Sequence, residues 1–254
     1  MPLALAHHQT CRYELKYIID ERWSRGVTDF VRGHLCRDEY ARPAMHYSYP
    51  IYSVYLDDPR MSLYGATVQG QKNRYKLRIR YYDHNPQSPV YFEIKRRVGD
   101  VIIKERAAVL RSSMPRLLAG HGPRPADLID PSDTGALATA CRFCELKNAI
   151  HATPRMIIYY EREAWISPAH DEIRVTFDRE AAAAYYDGCL YPTRWMNPKV
   201  PGIILELKFD NRFPLWMQEL VRNWDLYRTT MAKYVHCIDN VPRALRRRVS
   251  IVPV

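Results

Sequence analysis

Three segments decide the fold: Tyr75-Lys76-Leu77-Arg78-Ile79-Arg80-Tyr81, Val90-Tyr91-Phe92-Glu93-Ile94-Lys95-Arg96-Arg97, and Val101-Ile102-Ile103-Lys104-Glu105-Arg106-Ala107-Ala108-Val109. Successive side chains of a strand point to opposite faces, so Lys76, Arg78 and Arg80 fall on one side of the first segment and Leu77 and Ile79 on the other. The second gathers Glu93, Lys95 and Arg97 opposite Phe92, Ile94 and Arg96, and in the third Lys104 and Arg106 share a face. Val98-Gly99-Asp100 is short enough for a hairpin connection, which makes the last two segments antiparallel neighbours.

Two readings of this pattern compete. A half-buried antiparallel sheet with its charged side in water is the commoner arrangement. A solvated face, however, mixes both signs with neutral polar residues, whereas this one is dominated by Lys and Arg. Like charges on adjacent strands repel unless an anion sits among them, and converging guanidinium and ammonium groups suit a polyanion such as triphosphate.

Outward from these strands the same division recurs. Arg12, Glu14 and Lys16 oppose Tyr13, Leu15 and Tyr17; Ile158, Tyr160, Arg162 and Ala164 share a face; Arg174, Thr176 and Asp178 oppose Val175 and Phe177; Glu206 and Lys208 oppose Leu205, Leu207 and Phe209. Tyr49 to Leu56 adds a further strand. Between the strands, Asp20 caps a helix carrying Trp23, Val27, Phe30 and Val31 and ending near Gly33, Asp133 to Ile150 is a second helix, and Pro214 begins a third. Ser113 to Leu118 reads as a short amphipathic turn and His121 to Pro131 as an exposed Pro/Gly-rich connection. The expected fold is α+β, a mainly antiparallel barrel in one domain spanning 1–254, with helices outside. Three amphipathic helices permit an inverted barrel, apolar outside and charged in its lumen, but periodicity alone does not choose between the two arrangements.

The 254 residues carry a net charge of +10 and 19 tyrosines. That excess points to an anionic partner without choosing among nucleic acid, nucleotide, phosphate polymer and acidic membrane. The cations are dispersed over alternating strand positions rather than gathered in a nucleic-acid motif, which makes nucleic acid the weaker choice. Met1 to Thr10 lacks the pattern of a secretion signal, so the six cysteines are expected reduced in a cytoplasm, and Cys141-Arg142-Phe143-Cys144 reads as helix rather than as a metal pair. The Arg243 to Arg248 cluster reads as a solvated charge run, and no apolar run reaches membrane-spanning length.

Arg12-Tyr13-Glu14-Leu15-Lys16-Tyr17, Leu77-Arg78-Ile79-Arg80-Tyr81-Tyr82, Phe92-Glu93-Ile94-Lys95, Tyr160-Glu161-Arg162-Glu163-Ala164, Ile173-Arg174-Val175-Thr176-Phe177-Asp178, Leu205-Glu206-Leu207-Lys208 and Ala232-Lys233-Tyr234 resemble, in that order, the motifs of the VTC domain. This is the catalytic module of the vacuolar transporter chaperone polyphosphate polymerase, within the triphosphate tunnel metalloenzymes. The resemblance implies an antiparallel barrel with a charged tunnel and transfer of the ATP gamma-phosphate to inorganic polyphosphate with Mn2+ or Mg2+. It assigns phosphate binding to Lys16, Arg78, Arg80, Lys95, Lys104, Arg162, Arg174, Lys208 and Lys233, with Lys16, Arg78, Arg80, Lys95 and Lys233 catalytic. Glu206 is the first choice for a metal, ahead of Glu14, Glu93 and Asp178.

Arg12 stands where related triphosphatases begin a Glu-x-Glu-x-Lys strand, which favours the polymerase branch; Ala232 departs from the polymerases' usual Ser-Lys pattern. The regulatory domain and membrane tail of the fungal proteins have no counterpart in these motifs, so a membrane partner is expected to be a separate chain at the inner face of the membrane. A triphosphatase acting on ATP or triphosphate and a noncatalytic polyanion-binding module remain open alternatives.

Overall fold

The computed structural model describes residues 12–41, 47–99, 101–168, 173–210 and 212–240. Asp100, the Arg12 side chain, and the segments around Cys11 and Arg243 to Arg248 lie outside the described residues.

Among the described residues nine strands form one antiparallel sheet: β1 (Arg12–Ile19), β2 (Cys36–Arg37), β3 (Tyr49–Asp57), β4 (Asn73–Tyr81), β5 (Val90–Val98), β6 (Val101–Val109), β7 (Thr153–Ile166), β8 (Arg174–Tyr185) and β9 (Ile203–Asp210). The spatial order β7-β3-β4-β5-β6-β1-β9-β8 returns to β7 through a β7–β8 ladder, with β2 added beside β3 on β7. Among the described residues β1 meets β6 at one registered pair, Arg12↔Ile102. Beside it β1 and β9 are matched along their length, from Arg12↔Asp210 to Ile19↔Ile203. Gly202 permits that approach: its φ is 146°, and a Cβ there would stand 2.4 Å from the Ile19 carbonyl oxygen.

Six α-helices among the described residues accompany the sheet: α1 (Ser24–Arg32), α2 (Ser62–Val68), α3 (Met114–Leu118), α4 (Thr134–Ala149), α5 (Leu215–Asn223) and α6 (Lys233–Asp239). The two larger core clusters lie outside the barrel. Leu77, Ile79, Phe92 and Ile94 are fully buried beneath α3 and α4, with Phe143 against Phe92 at 4.7 Å between ring centroids. Val175, Phe177, Leu205 and Leu207 are fully buried beneath α1 and α5. The apolar strand faces therefore point outward to helices and the charged faces point inward, which is the inverted arrangement. A third cluster lies on the lumen side, where Ile51, Tyr55, Ile158 and Tyr160 meet Tyr234 and Cys237 of α6. Among the described residues no helix is long and apolar enough to cross a membrane.

Several local readings change. Trp23 leaves the apolar face of the first helix: it lies exposed in a 3-10 turn (Glu21–Trp23), and Val27 and Val31 are the buried residues of α1. The 121–131 connection is not wholly exposed, because Asp127 and Leu128 are buried, the first taking hydrogen bonds from Arg116 and the Arg124 amide. β8 runs to Tyr185, past a bulge at Glu180 whose φ is 53°, through four alanines that carry weak strand propensity and are held by pairing with β7.

Candidate phosphate-binding lumen

The inward strand faces enclose a cavity of about 1680 Å³ in which basic side chains outnumber acidic ones sixteen to four. All nine residues expected to bind phosphate line it, from β1 (Lys16), β4 (Arg78, Arg80), β5 (Lys95), β6 (Lys104), β7 (Arg162), β8 (Arg174), β9 (Lys208) and α6 (Lys233). Strand register stacks these groups in rows. Lys76, Lys95 and Lys104 lie abreast on three neighbouring strands, and the next row is Arg78, Glu93 and Arg106.

Buried carboxylates tie most of these groups together. Glu93, 0% exposed, accepts Arg78 Nε at 2.6 Å, Lys104 Nζ at 2.9 Å and Arg106 Nε at 3.3 Å, with Arg80 Nε at 4.0 Å. Burial alone would raise its pKa, but Arg78, Arg80 and Lys104 hold it well below the usual carboxylate range. Across the lumen, Glu206, 4% exposed, gathers Lys16 and Lys233 on Oε1 at 3.1 and 3.0 Å, and Lys208 and Arg162 on Oε2 at 2.7 and 3.3 Å. These four cations outweigh burial and lower its pKa strongly. Lys16 also contacts Glu14 at 3.2 Å, whose other oxygen takes Lys95 at 2.9 Å. Asp178 receives a two-bond fork from Arg162 and an ion pair from Lys233.

The arginines are aimed further by neutral groups. Arg80 donates to Ser53 Oγ at 3.3 Å and to the Tyr160 hydroxyl at 3.2 Å, and Arg78 reaches the Tyr55 hydroxyl at 3.4 Å. Arg174 pairs with Asp38 and donates to the Tyr49 hydroxyl at 2.9 Å. Asp38, brought beside it by β2, is a partner that no inward-facing pattern in the sequence announces.

A family model described as the VTC domain matches residues 11–241. The chain belongs to the VTC domain family. Vacuolar transporter chaperone complex subunit 2 of Schizosaccharomyces pombe is 23% identical over 237 residues, an alignment covering 79% of this chain and 32% of the relative, so this VTC domain spans about a third of that protein's length. Among solved structures, a candidate adenylate cyclase from Bacillus halodurans is similar at 12% identity and TM-score 0.48, covering 87% of this chain and 95% of that one. A candidate adenylyl cyclase from Hippeastrum, described as having a dominant triphosphatase activity, is similar at 12% identity and TM-score 0.42, with coverage of 95% and 97%.

Metal binding by this VTC domain was expected at Glu206, Glu14 and Glu93, and these carboxylates do not share one site. Glu14 and Glu206 meet through the Lys16 ammonium, whereas Glu93 belongs to the opposite cluster of Arg78, Arg80, Lys104 and Arg106. No group of three or more His, Cys, Asp or Glu side chains suited to a metal occurs among the described residues. With both oxygens of Glu206 and Glu93 already facing cations, the side chains as arranged do not fit a preformed divalent centre. Cys144 is no alternative: burial pushes its thiol up to about 11, away from the thiolate a metal needs.

Lys76 is a lumen residue that the motifs passed over. It lines the lumen, and burial, with Lys16, Lys95, Arg74 and Arg78 around it, pushes its ammonium down to about 7. Its place on the face of Arg78 and Arg80 was the available signal.

Proposed function

We propose that this domain binds the triphosphate of ATP in its lumen and transfers the gamma-phosphate to a growing inorganic polyphosphate chain. The observation that carries the reading is the lining itself, an inward-facing concentration of Lys and Arg far beyond its carboxylates. Membership of the VTC domain family supports it. Phosphoryl transfer asks little covalent chemistry of a protein, and positioning plus charge stabilisation does most of the work. Arg78, Arg80 and Arg162, held by Glu93, Tyr160 and Asp178, present guanidinium groups whose direction is set before a ligand arrives. Lys16, Lys95, Lys104, Lys208 and Lys233 supply mobile point charges that can turn from their carboxylates to phosphate oxygens. The Mn2+ or Mg2+ that the resemblance implies finds no ready donor set, and no step is routed through it.

The same family membership supports a location on the cytoplasmic side of a membrane, with a separate membrane-bound chain as partner; the S. pombe relative is named as a subunit of a complex. A second reading, anion binding without turnover, is favoured by one observation. Glu14, Glu93, Asp178 and Glu206 are all paired with cations, so none of them is poised to activate water or an acceptor.

Incubation of the purified protein with ATP, Mn2+ and a short phosphate primer tests these readings. A ladder of long chains on a gel supports the polymerase, and free phosphate without polymer replaces it with a triphosphatase. Anion binding with neither product leaves the binding module.

A further inference from the structure

Five of the six lysines on the inward strand faces and α6 have a carboxylate within 3.2 Å. Lys16 has Glu14 and Glu206, Lys95 has Glu14, Lys104 has Glu93, and Lys208 and Lys233 have Glu206. Lys76 is the sixth, and among the described residues it faces cations: Lys95 abreast on β5, Lys16 on β1, and Arg74 and Arg78 on its own strand. One row further towards the β5–β6 hairpin, Arg74 lies abreast of Arg97, and these two donate to the main-chain carbonyls of Gln71 and Gly99. Along β4 the lumen thus passes from Arg78, matched by Glu93, to Lys76, which has no carboxylate at salt-bridge distance among the described residues.

We propose that Lys76 is the seat at which a phosphate anion first gains a partner inside the lumen, and that it is a binding residue for the phosphate chain that the motifs of the family do not name. The inference rests on the anion-binding reading of the lumen. At the other five lysines an arriving phosphate oxygen competes with a carboxylate at salt-bridge distance; at Lys76 it displaces none and relieves the repulsion of four neighbouring cations. A partly buried lysine without a counter-charge weakens the ligand-free fold, either as an unpaired cation or through the proton it gives up to its neighbours. The residue therefore acts with opposite signs on stability and on binding, which a purely structural lysine does not do. Because burial and its neighbours bring its pKa to about 7, an anion that restores the ordinary lysine value draws a proton from solution as it binds.

Calorimetric titration of the purified protein with inorganic tripolyphosphate, and separately with ATP, in buffers of different ionisation enthalpy tests this. At about pH 8, Lys76→Met is expected to weaken tripolyphosphate binding by about tenfold or more and to remove about one proton from the uptake per anion. The same variant should melt at or above the wild-type temperature. Lys76→Arg, a permanent charge, should restore the affinity while leaving the uptake reduced. Equal losses for both ligands assign the seat to a triphosphate shared by the two; a loss confined to tripolyphosphate assigns it to the inorganic chain. A Lys76→Met protein that binds both ligands like wild type, with unchanged proton uptake, overturns the seat while leaving the polymerase reading intact. Wild-type protein that binds neither anion overturns both, whereas binding without product removes the catalytic reading and leaves the seat standing.

Discussion

Arg162 on β7 and Asp178 on β8 lie directly opposite each other and are joined by two side-chain bonds of 2.6 and 2.7 Å. The planar fork of Arg matches a carboxylate in a way that a lysine ammonium cannot. Arg162→Lys is therefore expected to lower anion affinity, by about tenfold, and to reduce stability as well. Asp178→Asn leaves Arg162 and Lys233 to share Glu206 alone and is expected to cost about 2 kcal/mol, read from urea denaturation.

Glu93 and Glu206 carry folded-state pKa values well below those of free carboxylates. Their contribution to stability is fully present above the unfolded-state pKa and is lost as pH falls through the folded one. Thermal melts should hold steady down to about pH 5 and then fall steeply. Glu93→Gln should melt lower than wild type at neutral pH, and the gap between the two should narrow in acid, since the variant has no carboxylate there to protonate. A gap that stays constant in acid would refute the assignment.

Arg78→Ala and Lys95→Ala should each lower turnover at least about a hundredfold while leaving a cooperative melt. Neither strands a carboxylate, because Glu93 keeps Lys104 and Arg106 and Glu14 keeps Lys16. Circular dichroism alongside the polymer assay checks both halves of this expectation, and normal activity in either variant would break the inward assignment.

Mn2+ added alone should shift the melting temperature by less than about 1 °C, because cations of the protein already face both oxygens of Glu206 and Glu93. A large shift with metal and no phosphate would show that these pairs open readily to admit an ion.

The alternation of charged and apolar residues on β1, β4, β5, β6, β8 and β9 was legible because a strand's period of two is a local property. What remained open was which face points inward, since that depends on where α1, α4 and α5 come to rest. The strand ends were harder. Ala181 to Ala184 extend β8 against their own propensity, and Cys36 and Arg37 form β2 only by pairing with Trp165 and Ile166. Asp38, the partner of Arg174, arrives from 136 positions away, and the cation sets of Glu93 and Glu206 are likewise assembled from separate strands. Lys76 stood in plain view beside Arg78, yet that no carboxylate among the described residues comes within salt-bridge distance of it is a fact about three dimensions.

The outward placement of the apolar core gives neighbouring residues of one strand separate duties. On β4, Leu77 and Ile79 hold the sheet to its helices while Lys76, Arg78 and Arg80 face the ligand space. A substitution at one parity alters the chemistry of the lumen and spares the packing. A single inserted residue in this strand would instead exchange the two sets, sending arginines into the helix-covered core and leucine into the lumen. In this barrel the lining is open to mutational change, while the spacing along each strand is not.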